Sequence, residues 1–234
     1  MIFGYIKEIF FSYQGEGIYY LQPQIFVRFC GCNLECDYCD EAEIIKLNER
    51  YKRNLYSVLN RIKNLSKKHK TKTICITGGE PLLQLEFLLD LLKNLKKNNY
   101  KTYLETNASL IENFKYVIKY IDVISVDFKF PSSCKNDLFS KHKEFLKLCK
   151  KFKKDFFVKF ILTNKTKDYE IKKSVNIIKS IDRKIKVVLQ PVTPIRNIFL
   201  PKPIKIFLWF DYIKKKLYNI YLIPQLHKLV WRIK

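Results

Sequence analysis

Ile74-Cys75-Ile76-Thr77-Gly78-Gly79-Glu80-Pro81 passes from an apolar, β-rich run into a glycine turn, and from Leu82 to Lys97 the apolar spacing becomes helical. A strand, a Gly-rich turn and a helix in that order begin a βαβ unit. The pattern recurs downstream. Lys101 to Thr106 reads as a strand, followed by a helix over roughly Leu110 to Tyr120. Asp122 to Asp127 is the next strand, with a helix near Leu138 to Lys150. Phe156 to Leu162, a helix from about Asp168 to Ser180, and Ile185 to Leu189 continue the series. Roughly five or six repeats of this kind imply parallel pairing in a barrel-like or partly open β/α sheet. Upstream, Ile2 to Ser12 and Gln24 to Phe29 read as strands joined by Tyr13-Gln14-Gly15-Glu16-Gly17. That segment is either an ordinary tight turn or a place where the backbone approaches a ligand closely.

Polar residues interrupt the strands at their ends: Thr77-Gly78-Gly79-Glu80, Glu105-Thr106-Asn107, Asp127-Phe128-Lys129 and Gln190-Pro191. In β/α barrels, catalytic groups collect at the C-terminal ends of the strands. The recurrence therefore predicts one shared cavity.

The 234 residues suit one well-buried domain, and 47% hydrophobic content with 15% aromatics supplies its core. No stretch approaches the roughly 20 uncharged apolar residues of a membrane span. The N-terminus lacks the features of a secretory signal, so a cytoplasmic protein is expected. The formal net charge of +23 raises a nucleic-acid reading. Lysine is spread along the whole chain, however, which fits a compositional bias, and runs such as 150–154 and 214–216 read as solvated helix ends or loops. Basic charge alone gives only non-specific affinity for nucleic acid, and it also attracts small anions.

Of seven cysteines, four fall in Cys30-Gly31-Cys32-Asn33-Leu34-Glu35-Cys36-Asp37-Tyr38-Cys39. In a reducing compartment this clustering reads as a metal site rather than a disulfide framework. Cys75, Cys134 and Cys149 stand singly and read as buried or inert thiols. The C-x3-C-x2-C trio Cys32, Cys36 and Cys39 can hold three corners of a 4Fe–4S cluster, leaving one iron open for chemistry. Two rivals remain. Cys30 with the trio could make a tetrahedral zinc site, although zinc ribbons usually pair two separated knuckles. Cys36 and Cys39 alone could be a redox pair, which leaves Cys32 idle.

The trio together with Thr77-Gly78-Gly79-Glu80-Pro81 resembles the signature of the radical S-adenosylmethionine (SAM) superfamily. Further segments resemble its 7-carboxy-7-deazaguanine synthase family: Ser12-Tyr13-Gln14-Gly15-Glu16-Gly17, Phe26-Val27-Arg28-Phe29, Glu105-Thr106-Asn107, Gln190-Pro191-Val192 and Pro224-Gln225-Leu226-His227-Lys228. This resemblance implies an α/β fold, a single-domain partial (open) β/α barrel over residues 1–234, with the cluster loop at 30–41. It implies a radical SAM lyase that converts 6-carboxy-5,6,7,8-tetrahydropterin to 7-carboxy-7-deazaguanine with loss of ammonia, on the route to queuosine. The cofactors implied are a 4Fe–4S cluster, SAM and Mg2+. A flavodoxin or ferredoxin as electron donor and a homodimer are also implied.

By motif match, Tyr13, Gln14, Gly15, Glu16, Arg28, Thr77 and His227 would meet the substrate, Arg28 through its carboxylate. Tyr38, Cys39, Asp40, Gly79, Glu80, Asp127, Phe128, Lys129, Gln190, Pro191, Val192 and Thr193 would meet SAM, with Glu80 either accepting from its ammonium or holding the loop.

Two departures stand out. The family commonly reads Cys-Asp-Thr, the threonine helping to bind Mg2+, whereas this chain has Cys39-Asp40-Glu41. Glu41 is a hard oxygen donor and so a candidate Mg2+ ligand; without the ion it would repel a substrate carboxylate. Asp127-Phe128-Lys129 stands where Ser-Pro-Lys is frequent. Two other classes compete: a glycyl-radical activase, which offers no reason for Gln14-Gly15-Glu16-Gly17 or Arg28, and a zinc-stapled RNA-binding module.

Overall fold

The computed structural model describes residues 2–230. Its strands form a single nine-stranded sheet. The first two, β1 (Phe3–Tyr13) and β2 (Pro23–Phe29), make an antiparallel pair, and the short β3 (Lys52–Asn54) borders β1. Helix α1 (Leu55–His69) then crosses over to β4 (Thr73–Gly78), which lies parallel to β2. The Asn54 side chain caps α1 by accepting from Ser57 N–H at 2.8 Å, and Val58, Ile62 and Leu65 make its buried stripe.

The strand–turn–helix expected from Ile74 to Lys97 differs in one place. After β4, Pro81–Gln84 is a 3-10 turn and only Leu85–Lys97 is α-helical (α2). Glu80 precedes that turn and accepts from Leu82 N–H, and Pro81 occupies its first position. The alternation continues through β5 (Lys101–Thr106), α3 (Ile111–Val117), β6 (Val123–Phe128), the single turn α4 (Pro131–Cys134) and α5 (Phe139–Lys151). It ends with β7 (Asp155–Leu162), α6 (Asp168–Ile181), β8 (Lys186–Pro191), α7 (Pro203–Lys214), β9 (Asn219–Leu222) and α8 (Leu226–Leu229). From β2 and β4 onward every neighbouring pair is parallel.

The strand order β3-β1-β2-β4-β5-β6-β7-β8-β9 is linear, so the barrel is open, with β3 and β9 at its edges. Two apolar layers flank the curved sheet. Outside, the helices bury Leu88, Leu91, Phe114, Phe145 and Val175 against it. Inside, Phe26, Cys75, Tyr103, Phe157 and Val188 fill the lower barrel, with Ile18 and Tyr19 packed against them.

Strand geometry decides what lies above that plug. Side chains on one face recur every second residue. Two positions beyond Phe26, Cys75, Tyr103, Phe157 and Val188 stand Arg28, Thr77, Glu105, Lys159 and Gln190. All five line a cavity at the C-terminal strand ends. An apolar floor thus sets the height of a polar layer.

Candidate active site

The cavity combines this polar layer with the cysteine loop and the β1–β2 turn. Cys32, Cys36 and Cys39 all line it, whereas Cys30 is fully buried and donates its backbone N–H to Tyr5 O. The loop is tied down at several points. Gly31 N–H and Cys32 N–H donate to Ile44 O and Ile45 O, and Asp37 N–H donates to Ser133 O. Glu80 N–H reaches Gly31 O at 2.8 Å, joining the Gly-Gly turn to the cysteine loop. Gly79 is required at that seam, because a Cβ there would sit 2.0 Å from Gly31 O. Burial pushes all three thiols up, Cys36 to about 12, so a metal cluster must displace their protons to bind. Among the described residues no three His, Cys, Asp or Glu side chains converge on a single ion. The three thiols of the trio are spread along one wall of the cavity, and Cys30 is not among its lining residues.

Deeper in the cavity, charge is concentrated on Lys159, whose side chain is 4% exposed. Its ammonium hydrogen-bonds Glu16 and lies 3.2 Å from Asp127 Oδ1, a charge contact with no aligned hydrogen bond. Burial opposes ionisation of Glu16, but the Lys159 charge and hydrogen bonds from Lys159 and Gln225 overcome it and hold the carboxyl well below its usual range. Glu105 responds differently: burial and the nearby Glu16 raise it, outweighing Lys159. Glu105 accepts from Thr77 Oγ1 at 2.6 Å and from Gln14 Nε2 at 3.1 Å.

At the cysteine side, Lys129 contacts Asp127 at 3.0 Å and stands 5.4 Å from the centre of the Tyr38 ring. Burial opposes its charge, yet Asp127 and the surrounding groups keep it protonated. Its positive charge also acts to lower all three thiols.

The C-terminal segment closes the cavity from the other side. Gln225 Nε2 donates to Glu16 Oε1 at 2.8 Å, and Thr193 N–H donates to Gln225 Oε1 at 3.1 Å. Leu226 N–H reaches Gly15 O, and Lys228 pairs with Asp40. His227 packs closely on Gly15, where a Cβ would meet its Nδ1 at 2.4 Å. Burial lowers the His227 pKa, so the ring is neutral at pH 7.

A family model described as the Radical SAM superfamily matches residues 26–186. A 7-carboxy-7-deazaguanine synthase from Geobacter sulfurreducens is 32% identical over 247 residues, covering 97% of this chain and 97% of its own. The chain belongs to the 7-carboxy-7-deazaguanine synthase family of radical SAM proteins. A second family relative, from Methanocaldococcus jannaschii, is also 32% identical, over 95% of this chain and 98% of its own. The crystal structure of QueE from Escherichia coli shares the fold, with a TM-score of 0.68 at 19% identity, covering 96% of this chain and 95% of that one. The partial-barrel expectation is met, and the family implies a 4Fe–4S cluster and SAM.

Residues of this family member fit those groups. Three thiols share the cavity wall, and two buried wall acceptors, Asp127 Oδ1 and Gln190 Oε1, have no hydrogen-bond partner among the described residues. The ammonium and hydroxyl groups of SAM are donors suited to such acceptors.

Tyr13, Gln14, Gly15, Glu16, Arg28, Thr77 and His227 all line the cavity, as do Tyr38, Cys39, Asp40, Gly79, Asp127, Lys129, Gln190, Val192 and Thr193. Three expected SAM contacts do not. Glu80 is fully buried and accepts from Leu82 N–H, Thr106 Oγ1 and Asn107 N–H, so it holds the loop rather than an ammonium. Burial raises its pKa to about 7 against those donors. Phe128 faces the outer layer and stacks on His142 at 4.2 Å, because Asp127 and Lys129 take the inward positions of a period-two strand. Pro191 likewise alternates out between Gln190 and Val192.

The Mg2+ expected at Glu41 does not fit this side chain. Its two oxygens are taken by Arg28 Nη1 at 2.7 Å and Lys7 Nζ at 2.6 Å. Conversely, Glu105 and Lys159 are cavity residues that the motif comparison did not assign to the site. Glu105 sat among the strand-end polar groups. Lys159 carried a signal of its own, as the lone charge inside the apolar run Phe156 to Leu162.

Proposed function

We propose that this radical SAM protein converts 6-carboxy-5,6,7,8-tetrahydropterin to 7-carboxy-7-deazaguanine with release of ammonia, supplying a precursor of queuosine. One observation carries the reading: Gln14, Arg28, Thr77 and Glu105 face the same cavity as the cysteine trio. A polar bicyclic substrate with a carboxylate needs that combination. When bound, the cluster and SAM supply the radical that removes a hydrogen atom at substrate C6.

The chain's own groups orient the substrate. Arg28 offers a guanidinium to the carboxylate. Gln14 and the Thr77–Glu105 pair give donors and acceptors for the pterin edge, and burial raises the Glu105 carboxyl above its ordinary value. Neutral His227 and the bonds around Gln225 exclude water from above. We further propose that residues 1–234 work as one unit in the cytoplasm, as a homodimer reduced by a flavodoxin or ferredoxin. Seven free thiols are in keeping with a reducing compartment. Neither the activase nor the zinc-module reading accounts for the polar layer around Arg28.

Anaerobic, reduced, cluster-loaded protein incubated with SAM and the carboxypterin should yield the deazaguanine by mass spectrometry, with SAM returned. Robust SAM cleavage without turnover of that pterin would refute the substrate assignment.

A further inference from the structure

The charges beside Arg28 are arranged in an unusual way. Ile6 pairs with Phe29 and Glu8 with Arg28, so Lys7 is the extra residue of a β-bulge in β1. A bulge re-aims the side chain it displaces and is frequent beside active sites. Here it lets Lys7 and Glu8 serve the same corner. Lys7 Nζ lies 2.6 Å from Glu41 Oε2 and 2.6 Å from Glu43 Oε1. Glu41 Oε1 lies 2.7 Å from Arg28 Nη1, and Glu8 Oε1 lies 2.8 Å from Arg28 Nε. The Arg28 and Glu41 side chains are only 18% and 17% exposed, so these contacts are poorly screened.

A hard divalent cation at Glu41 would have to displace two ammonium or guanidinium partners while lying beside their charges. The neighbouring acids Glu8 and Glu43 are themselves paired with Arg28 and Lys7, and among the described residues no three His, Cys, Asp or Glu side chains form a group that could hold an ion. Arg28, by contrast, is held on two of its nitrogens, which fixes the plane of its guanidinium at the cavity wall.

We propose that this enzyme binds its substrate carboxylate without a divalent cation, using the chain Lys7–Glu41–Arg28 to hold Arg28 at the cavity wall for that carboxylate. Lys7 supplies the charge that keeps Glu41 from repelling the substrate, and Glu41 acts as a positioning residue. The inference rests on the carboxypterin reading for its kinetic arm only.

Manganese(II), which shares the oxygen-ligand preference of Mg2+, should stay free by electron paramagnetic resonance when titrated into the cluster-loaded, SAM-bound protein, with no site tighter than about 1 mM. Turnover after chelator treatment should match turnover in added Mg2+ within about twofold, the iron–sulfur absorbance confirming an intact cluster. Lys7→Met and Glu41→Thr should each raise KM for the pterin about tenfold or more while changing kcat less than about threefold, and Lys7→Arg should restore most of the loss. A micromolar Mn2+ site, or turnover abolished by chelator with the cluster intact, would overturn the proposal. So would wild-type KM in Lys7→Met. Absence of pterin turnover under every metal condition refutes the substrate reading instead, and leaves the Mn2+ titration decisive.

Discussion

Lys159 sits in the middle of β7, surrounded by Phe157, Val158, Phe160 and Ile161, and its charge is answered by Asp127, its partner on the neighbouring strand β6, and by Glu16 from the β1–β2 turn. Burial costs an ammonium several kcal/mol unless partners compensate it. The partners here raise its pKa despite that burial. The dependence is mutual, because Glu16 stays ionised largely through Lys159. Replacing Lys159 with Met should therefore leave buried carboxylates without their cation. The expected loss is about 3–5 kcal/mol of stability, a drop of roughly 10 °C in melting temperature for a domain of this size. Lys159→Arg should recover part of it. Calorimetry on the cofactor-free proteins is the check, and a Met variant that melts with the wild type would show the three charges to be independent.

The elements themselves were largely legible. Every βα unit from β4 to β8 fell within a few residues of its expected span, because each carries a clean switch from period two to period 3.6. Less legible were α1, whose buried stripe is diluted by lysines, and α7, where apolar residues occur all round: Ile204, Phe207 and Leu208 are exposed while Ile206 and Trp209 are buried. The site was legible where polar residues ended a strand and hidden where one lay inside it, as with Lys159. Counting every second residue from the apolar floor would have reached it. Motif matching also could not separate Asp127 and Lys129 from Phe128, which strand alternation does at once.

The junction of β5, β6 and α2 shows how one side chain joins elements. Asp122 accepts from Lys96 Nζ on both oxygens at 2.8 Å and from Thr102 N–H at 2.8 Å. Burial pushes its pKa up, but these donors win and hold it below the usual range. A depressed carboxyl contributes stability above the unfolded pKa, near 3.8, and that contribution is lost as pH falls through the folded value. Asp122→Asn should thus cost about 1–3 kcal/mol at neutral pH and flatten the acid limb of a melting-temperature profile below about pH 4. An unchanged acid limb would assign the depression to other carboxyls.

At the scale of the whole molecule, an open sheet needs something to complete its cavity, and the segment Gln225–Lys228 does so by bonding Glu16, Gly15, Thr193 and Asp40 at once. The interior it closes is locally compensated, since Lys159, Lys129, Arg28 and Lys228 each have an acidic partner. The +23 excess therefore lies mostly on the outside. Surface charge of one sign attracts an anionic substrate over distances comparable with the Debye length, about 10 Å at 0.1 M salt. The ion pairs within the cavity are shielded from salt by burial. Raising salt from about 20 to about 500 mM should accordingly lower kcat/KM for the carboxypterin by roughly three- to tenfold, with kcat nearly constant. Steady-state kinetics across that range decides between the two places the charge could act. A flat kcat/KM would assign the lysine excess to composition alone, and a fall in kcat would mean that salt reaches the buried network around Lys159.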